Sequence, residues 1–287
     1  MSPPKERVPL WVSIGSHTVL AAATLFAVYP VLWVISLAFS AGGDAPEPRV
    51  VPFPAHPTLD NFKQFVGLDH AGGLALFLGQ LGNSLIVSLA TALVAVVIAT
   101  PASYALARLP FFGKEGALRT LFATQMFPAV ASAVPLYVLL EHLHLLDARS
   151  GLVLVYATTA IPFAIFQLKG AIETIPVDLE EAAMVDGATR FQAFVKVVLP
   201  AARPAIAVTA LFAFMSAWNE FILAATLLSR QSAFTLPIVL QSYVGEHLAN
   251  WGVFAAGALL VSAPVMILFY IVQRQLISGL TAGGVKG

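Results

Sequence analysis

Long stretches without a charged side chain divide this sequence. One stretch of 38 uncharged residues separates Asp69 from Arg108, and another of 36 separates Arg7 from Asp44. A helix needs about 20 mostly apolar residues to cross the hydrocarbon of a bilayer, and six stretches of the chain meet about that length. The predicted spans lie near residues 12–38, 81–105, 119–140, 151–168, 204–228 and 253–273.

These apolar stretches have the pattern of helices rather than strands. Residues 85–94 read LIVSLATALV, a continuous run without the period-two alternation that transmembrane strands show. Backbone polar groups in lipid must be paired within the segment itself, which a helix does. The first stretch is longer than the ~7–15-residue apolar core of a signal peptide. We therefore predict an all-α integral membrane protein whose first helix is retained.

The composition supports this class and excludes several others. Of the 287 residues, 59% are hydrophobic and only 10% are charged, whereas a typical soluble domain carries about 25% charged residues. Lys plus Arg equal Asp plus Glu at 15 each, so no net basic charge attracts nucleic acid. The chain has no cysteine, which excludes disulfides and thiolate catalysis. No metal site is predicted.

The positions of Lys and Arg predict the orientation. If the N-terminus is cytoplasmic, 11 of the 15 basic residues fall in cytoplasmic segments. The positive-inside rule therefore places both termini in the cytoplasm of a multi-pass protein of the bacterial cell (inner) membrane. The basic residues left on the opposite side are Arg49, Lys63, Arg149 and Arg230.

The largest predicted cytoplasmic segment, residues 169–203, has its own helical pattern. Acids follow Pro176 and predict a helix start, and the Asp186-Gly187 pair predicts its end because glycine readily adopts positive φ. Residues 191–199 carry apolar side chains at helical spacing and predict an amphipathic return to the membrane. Two interpretations stay open from the residues alone, a solvated connecting loop and a docking segment for another protein.

The same segment resembles the cytoplasmic EAA loop of ABC importer permeases. The spacing of the family pattern is matched in full, with valine in the place where isoleucine is commonest. Three further stretches resemble the MalG-type permeases of carbohydrate importers. The matching loop residues are Glu181-Ala182-Ala183, Gly187 and Val197-x-Leu199-Pro200. The further stretches are Trp218-Asn219-Glu220-Phe221, Thr235-Leu236-Pro237 and the glycine-rich tail 279–287.

This resemblance implies a type I ABC importer permease fold with six transmembrane helices. It implies an N-terminal helix and proline-rich periplasmic loop in residues 1–75, and an ABC transmembrane type-1 domain in residues 76–274 with the EAA loop at 176–200. Residues 275–287 would form a cytoplasmic tail. The implied partners are a MalF-like permease in a heterodimer, two ATPase subunits and a periplasmic or lipid-anchored sugar-binding protein.

The chain is expected to be a non-catalytic subunit. A phosphate-binding P-loop needs Gly-Lys followed by Ser or Thr, but Gly113-Lys114 is followed by Glu115. ATP and Mg²⁺ would therefore bind to the partner ATPase subunits, and no cofactor is expected on this chain. ATPase closure on ATP would move the permease helices and give alternating access.

The resemblance also assigns roles within the EAA loop and the tail. Glu181 is expected to contact the ATPase through its carboxylate, although a simple helix-start acid is the alternative. Ala182 and Ala183 would keep the helix narrow, and Gly187 would permit the turn after it. The tail would reach the ATPase dimer through Gly283, Gly284 and Lys286, with a frayed terminus as the alternative.

Polar residues inside the apolar stretches are candidates for the transport pathway or for permease–permease contacts. Glu220 is the one acid in the long stretch 204–228, where an acid is costly. The alternative is an interfacial anchor beside Trp218. For Asn83 and Gln125, hydrogen bonding between helices explains a polar side chain equally well. The full set is Asn83, Gln125, Trp218, Asn219 and Glu220.

Two other classes of protein fit this sequence less well than an importer permease. A secondary transporter or channel for a small solute usually has several intramembrane ionisable groups, and an integral membrane enzyme needs clustered His, Asp or Glu. His17 is the one histidine within a predicted span. The resemblance favours maltose or maltodextrin as the cargo, then trehalose or another oligosaccharide, while glycerol-phosphate importers have similar permeases.

Overall fold

A computed structural model describes residues 9–41, 52–54, 56–245 and 249–283. Within these ranges the regular structure is helical, apart from isolated bridges between Ser40 and Pro57 and between Val244 and Ala249. The prediction of an all-α protein is confirmed. Side chains of residues 274–283 and of Ala129 lie outside the description.

Among the described residues, four helices are long and apolar enough to cross a membrane. They correspond to the first, second, fourth and sixth predicted spans. The second begins at Gly73 rather than near residue 81, so it is longer than the sequence predicted. These helices are α1 (Leu10–Ala38), α3 (Gly73–Arg108), α6 (Arg149–Glu173) and α13 (Trp251–Gly283).

The third predicted span, residues 119–140, is not a single helix. It is divided into α4 (Lys114–Gln125) and α5 (Ala129–His142), whose axes differ by 99°. Pro128 occupies the N-cap of α5 with extended backbone, φ −63° and ψ 125°. Proline supplies no backbone N–H and disfavours helical geometry in the residue before it, which explains the break.

The prediction of one continuous helix for the fifth span, residues 204–228, is also wrong. Helix α10 (Arg203–Trp218) ends before the polar pair Asn219 and Glu220, and α11 (Ile222–Leu227) follows. The Glu220 carboxylate supplies acceptors for the N–H groups of the second helix, so the chain can break here. Before α10 the chain bends again, by 72°.

The remaining elements are short. They are α2 (Asp60–Phe65), α7 (Val177–Val185), α8 (Arg190–Ala193), a π-helical turn (Phe194–Val198), α9 (Leu199–Ala201), a 3₁₀ turn (Gln231–Ala233) and α12 (Leu236–Gln241).

The chain divides into two units. The first contains residues 1–73 and 240–260. Its core joins the end of α1 to the first part of α13, with Ala38 against Ala255 and Ala256. The buried Asn61 amide donates to the carbonyls of Ala38 and Ser40, at 3.0 and 2.8 Å. This side chain pairs backbone carbonyls at the end of α1 and just beyond it, which need a partner when they are buried.

The second unit contains residues 74–239 and 261–287, and α3 and α6 run through its core. One cluster packs Val87 of α3 and Tyr156 of α6 with Leu140 of α5 and residues of α11. A second packs the two long helices through Ala99 and Leu168. A third cluster, near the ends of α3 and α6, contains Tyr104, Ile172, Val198 and Ala202. It ties the segment after α7 to both long helices.

Many large apolar side chains are not covered by other parts of this chain. Leu10, Trp11, Leu25 and Phe26 of α1 are each more than three-fifths exposed. Such a surface is unfavourable in water but ordinary in lipid, where helices need no polar face. The chain is therefore built for a bilayer or for contact with other membrane subunits.

One glycine can test the packing of the second unit. A Cβ on Gly151, in the first turn of α6, would overlap the Leu145 carbonyl oxygen. We expect Gly151→Ala to lower the free energy of unfolding by about 1–3 kcal/mol through overpacking. The four tryptophans allow thermal unfolding in detergent to be followed by intrinsic fluorescence.

The matched control is Gly79→Ala, because the added methyl meets no atom within 4 Å in α3. Alanine in an exposed helical position should be neutral or slightly stabilising. Equal melting temperatures for the two variants would contradict the close packing at Gly151.

Candidate functional site

The segment 176–200 begins with the short helix that the sequence predicted. Pro176 is the N-cap of α7, and Asp178 and Glu180 lie in its first turn. The helix ends with a bond from the Ala188 N–H to the Ala183 carbonyl, at 3.0 Å. Gly187 has φ +91°, a conformation that favours glycine. The predicted helix and glycine turn are both present.

The second half of this segment returns to the core. Thr189 and Gln192 form a capping box at the start of α8. The π-helical turn that follows buries Val198 in the third cluster. Residues 191–199 are helical as predicted, but they are divided among α8, the π-helical turn and α9. The predicted apolar face is only partly buried, since Val198 is buried whereas Phe191 and Val195 are exposed, and the return to the membrane stays a prediction.

One face of α7 points away from the rest of the chain. Glu181 and Ala182 are exposed, and Ala183 is half-buried. Apolar side chains accompany them, since Leu179 is 49% exposed and Val185 87% exposed. We call Leu179, Glu181, Ala182 and Val185 the outer face of α7. A carboxylate beside exposed apolar groups suits contact with another protein.

The neighbouring acid has the opposite environment. Glu180 is buried, with 6% of its side chain exposed. Its carboxylate accepts from the Arg108 Nε at 2.6 Å and from the Tyr104 hydroxyl at 2.9 Å. From the sequence, Glu180 is predicted only as one of the acids at the helix start, and no site role is predicted for Tyr104 or Arg108. Tyr104 and Arg108 are spaced i,i+4 on α3, which places them on one helix face, but the partner lies 72 residues further along the chain.

The predicted contacts of the tail fall outside the described side chains. Gly284 and Lys286 lie outside the described residues, and Gly283 is the last described residue of α13.

The break between α10 and α11 is built around Glu220. Its carboxylate accepts the backbone N–H groups of Leu223 and Ala224, at 2.9 and 3.0 Å. It also accepts the Tyr156 hydroxyl at 2.8 Å. A carboxylate beside the N-terminus of a helix accepts the unpaired N–H groups of the first turn and interacts favourably with the helix dipole. Tyr156 was missed because its apolar surroundings resemble an ordinary helix face.

Trp218 precedes the break and is buried. Its indole N–H donates to the Val261 carbonyl at 3.2 Å, and its ring stacks on Phe214 with centroids 5.4 Å apart. These contacts hold the end of α10 to the later part of α13. Trp218 therefore packs inside this chain.

Asn219 instead lines a cavity of about 440 Å³. Gln125 lines the same cavity, and its amide donates to the Thr159 carbonyl at 3.1 Å. Uncharged hydroxyl and aromatic side chains complete much of the wall. Among the described residues the lining is Gln125, Thr159, Ala160, Phe163, Ala164, Thr209, Phe212, Ala213, Met215, Ser216 and Asn219.

Asn83 lies apart from this cavity and holds a loop. Its amide donates to the carbonyls of Ser232 and Phe234, at 2.9 and 3.0 Å, and its oxygen accepts from the Arg149 Nε at 2.8 Å. Nearby, Ser84 accepts the Leu236 N–H. These bonds fasten the segment before α12 to α3.

A carboxylate clamps two neighbouring loops. Asp147 accepts the backbone N–H groups of Ser229 and Arg230, at 2.7 and 3.0 Å. Partial burial raises the pKa of the Asp147 carboxyl, but these bonds and the Arg230 guanidinium lower the pKa by more. The net pKa lies below its ordinary value, so the clamp stays ionised at neutral pH.

The structure therefore separates the five polar candidates. Gln125 and Asn219 line a common cavity, whereas Asn83, Trp218 and Glu220 do not line it and hold backbone groups of this chain. Their predicted roles in transport stay predictions.

The long apolar helices and the broken spans are those of a multi-pass membrane protein. Residues 99–281 match the family described as "Binding-protein-dependent transport system inner membrane component". The chain belongs to this family, and it is an integral membrane transport component.

Relatives include permeases of several uptake systems. DasC of the diacetylchitobiose uptake system of Streptomyces coelicolor is 37% identical over 260 residues, 91% of this chain and 92% of DasC. The trehalose permease SugB of Mycobacterium tuberculosis is 36% identical, covering 91% and 93%. The maltose/maltodextrin permease MalG of Vibrio vulnificus is 36% identical, covering 95% of each chain.

A solved structure shares the fold. A chain of a bacterial ABC transporter for import of the acidic polysaccharide alginate superposes with a TM-score of 0.74 at 25% identity. The match covers 95% of this chain and 99% of that one. The all-helical type I permease fold is thereby confirmed, and a secondary transporter or channel is not favoured.

The break at Glu220 generates a stability prediction. Glu220→Gln replaces one acceptor oxygen with an amide donor, which cannot pair with the N–H groups of Leu223 and Ala224. We expect a loss of about 1–3 kcal/mol in unfolding free energy, measured by thermal unfolding in detergent.

The control is Tyr156→Phe, which removes one hydrogen bond and keeps the ring, and should cost about 1 kcal/mol. If Glu220→Gln unfolds at the wild-type temperature while transport is lost, a direct role in the pathway would replace the capping role.

Proposed function

We propose that this chain is one of two permease subunits of an ATP-driven importer for neutral oligosaccharides. It forms half of the translocation pathway and couples closure of the ATPase subunits to alternating access. The observation that carries the proposal is α7, a short helix that presents Glu181 and small residues outward within a chain of the binding-protein-dependent family.

The outer face of α7 fits the surface of an ATPase subunit. The Glu181 carboxylate would contact a basic group, preferably an arginine, because charge-assisted hydrogen bonds to guanidinium are strong and directional. Ala182 and Ala183 let the helix approach closely, and Gly187 turns the chain away after it. Gly283, Gly284 and Lys286 would add contacts from the tail.

The cavity next to Asn219 supports the substrate class. Its described lining is uncharged and combines amides, hydroxyls and two phenylalanine rings. Amides and hydroxyls can hydrogen-bond sugar hydroxyls, and aromatic rings suit the apolar faces of sugars. Similar proteins are named both for uncharged cargoes, such as diacetylchitobiose, trehalose and maltodextrin, and for anionic ones, sulfoquinovosyl glycerol and alginate. The uncharged lining, rather than these names, therefore favours a neutral sugar. Maltose or maltodextrin and then trehalose remain our preferred cargoes.

The proposed assembly has six spans in this chain, counting each bent pair as one. Both termini and α7 would face the cytoplasm. A MalF-like permease would complete the pathway, two ATPase subunits would bind ATP and Mg²⁺ below it, and a sugar-binding protein would deliver cargo from outside. No cofactor is assigned to this chain.

ATP hydrolysis in proteoliposomes tests this function. The chain is reconstituted with its partner permease and ATPase, and a panel of sugar-loaded binding proteins is added. Stimulation by one loaded binding protein would support the importer and name its sugar. Sugar flux driven by an ion gradient without an ATPase would overturn it.

Two variants test the coupling role of α7. We expect Glu181→Lys to abolish sugar uptake, because it places like charge against the basic group of the ATPase. Gly187→Asp should do the same, since φ +91° is unfavourable for a residue with a side chain. Both chains should still insert in the membrane, as measured by expression and uptake of labelled sugar in cells.

Matched controls on α4 make the same chemical changes elsewhere. Glu115→Lys reverses an exposed acid, and Gly116→Asp adds a side chain where a Cβ meets no atom within 4 Å. Uptake should be near normal in both. Normal uptake by Glu181→Lys would remove Glu181 from the coupling mechanism.

A further inference from the structure

Arg108 at the end of α3 contacts two other parts of the chain, α7 and the end of α6. Its Nε donates to Glu180 of α7 at 2.6 Å. Its Nη2 donates to the carbonyls of Ile172 and Ile175, at 2.9 and 2.6 Å, where α6 ends. One guanidinium therefore joins the end of α3 to the end of α6 and to α7, the short helix that follows α6.

The contact with α7 is buried. Only 10% of the Arg108 side chain and 6% of the Glu180 side chain are exposed. The Tyr104 hydroxyl occupies the second carboxylate oxygen of Glu180, at 2.9 Å. Removing one member of a buried ion pair leaves an unpaired charge without water, which is strongly unfavourable. Glu180 is therefore difficult to separate from α3.

The contact with α6 uses groups that a helix leaves unpaired. The last four carbonyls of a helix lack partners within it, and Ile172 lies in the last turn of α6. A fixed, planar guanidinium can reach a carboxylate and carbonyls at the same time, whereas a lysine ammonium has no such fork. Arg108 thus locks the direction in which the chain leaves α6 and enters α7.

Apolar packing surrounds this polar contact. Tyr104 packs on Phe194 with ring centroids 4.6 Å apart, and Ile172, Val198 and Ala202 are buried in the same cluster. The packing includes the segment that leads into α10. The Glu180 contacts and this buried cluster together connect α7 with α3, α6 and the start of α10.

Glu180 and Glu181 divide the two sides of α7. Successive residues of a helix project about 100° apart, which allows Glu180 to face this chain while Glu181 is exposed. One acid is then available to the ATPase, and the other is held by Arg108.

We propose that Arg108, Glu180 and Tyr104 are positioning residues that form the joint through which movement of α7 is transmitted to the membrane helices. The inference deepens the proposed function and rests on it. The joint stays closed through the transport cycle, and α7 moves together with the ends of α3 and α6. Its loss would leave ATP hydrolysis running without sugar movement.

The test measures sugar transported per ATP hydrolysed in proteoliposomes of the complete complex. The variants are Arg108→Met, Glu180→Leu and the double variant that combines them. We expect assembly to be weakened in each single variant and recovered in the double variant, because apolar replacement of both partners leaves no buried charge. Sugar per ATP should fall about tenfold in the double variant, within the usual range of coupling between sites.

The matched control is a second ion pair that lies within one helix. Lys169 Nζ and Glu173 Oε1 are 2.6 Å apart on α6. Lys169→Met combined with Glu173→Leu removes the same charges without disconnecting two elements, and it should leave sugar per ATP unchanged.

The outcomes separate positioning from simple stability. Wild-type sugar per ATP in the assembled double variant would show that packing alone suffices and would overturn the joint. If the double variant does not assemble, Arg108→Lys decides, since it keeps the charge but loses the fork. Reduced sugar per ATP in that variant would support the joint, and a wild-type ratio would overturn it.

The same experiment distinguishes failure of this inference from failure of the proposed function. Stimulation of the wild-type complex by a loaded binding protein, together with unaffected variants, overturns the joint alone. A wild-type complex whose ATPase responds to no loaded binding protein overturns the proposed function and the joint with it.

Discussion

The need to satisfy every backbone amide away from water governs this structure. Long helices meet that need within themselves, as α3 and α6 do, and the chain breaks within its apolar stretches only with local help. At the break after Trp218 the Glu220 carboxylate takes the N–H groups of Leu223 and Ala224. At residues 126–128 a proline begins the next helix and has no N–H to satisfy. Glu220, which the sequence suggested as a pathway residue, thus permits an irregular backbone at this break.

The same requirement shapes the segment that we assign to coupling. A helix as short as α7 has little stability of its own, because nucleation is costly and few hydrogen bonds follow it. Its position comes from Glu180, which is buried against Arg108 and Tyr104. This attachment leaves Glu181, Ala182 and Val185 exposed. In the proposed assembly, a helix held firmly on one face and open on the other is suited to transmit movement.

The proposed cargo path has a different character from the coupling segment. Ionic contacts hold α7, whereas the described cavity wall at Gln125 and Asn219 is uncharged. Fixed charges would bind counterions and oppose the release of a neutral sugar, while amides and hydroxyls exchange hydrogen bonds with water at small net cost. The names of similar proteins include uncharged sugars and also the anionic cargoes sulfoquinovosyl glycerol and alginate. The distinction between these sugars would depend on the position of each polar group along the path.

The sequence by itself determined the all-α membrane class, four of the long helices and the helix and glycine turn of the segment 176–200. These features follow from local rules, since uncharged length, helix-start acids and positive φ at glycine act within a few residues. Only the tertiary structure decided the two breaks, the capping role of Glu220 and the partners of Glu180. The last contact joins residues 72 positions apart. The family pattern singles out Glu181, but no local rule shows that Glu180 is buried. Which acid is buried depends on how α7 packs against α3 and α6, and that is decided by the whole chain.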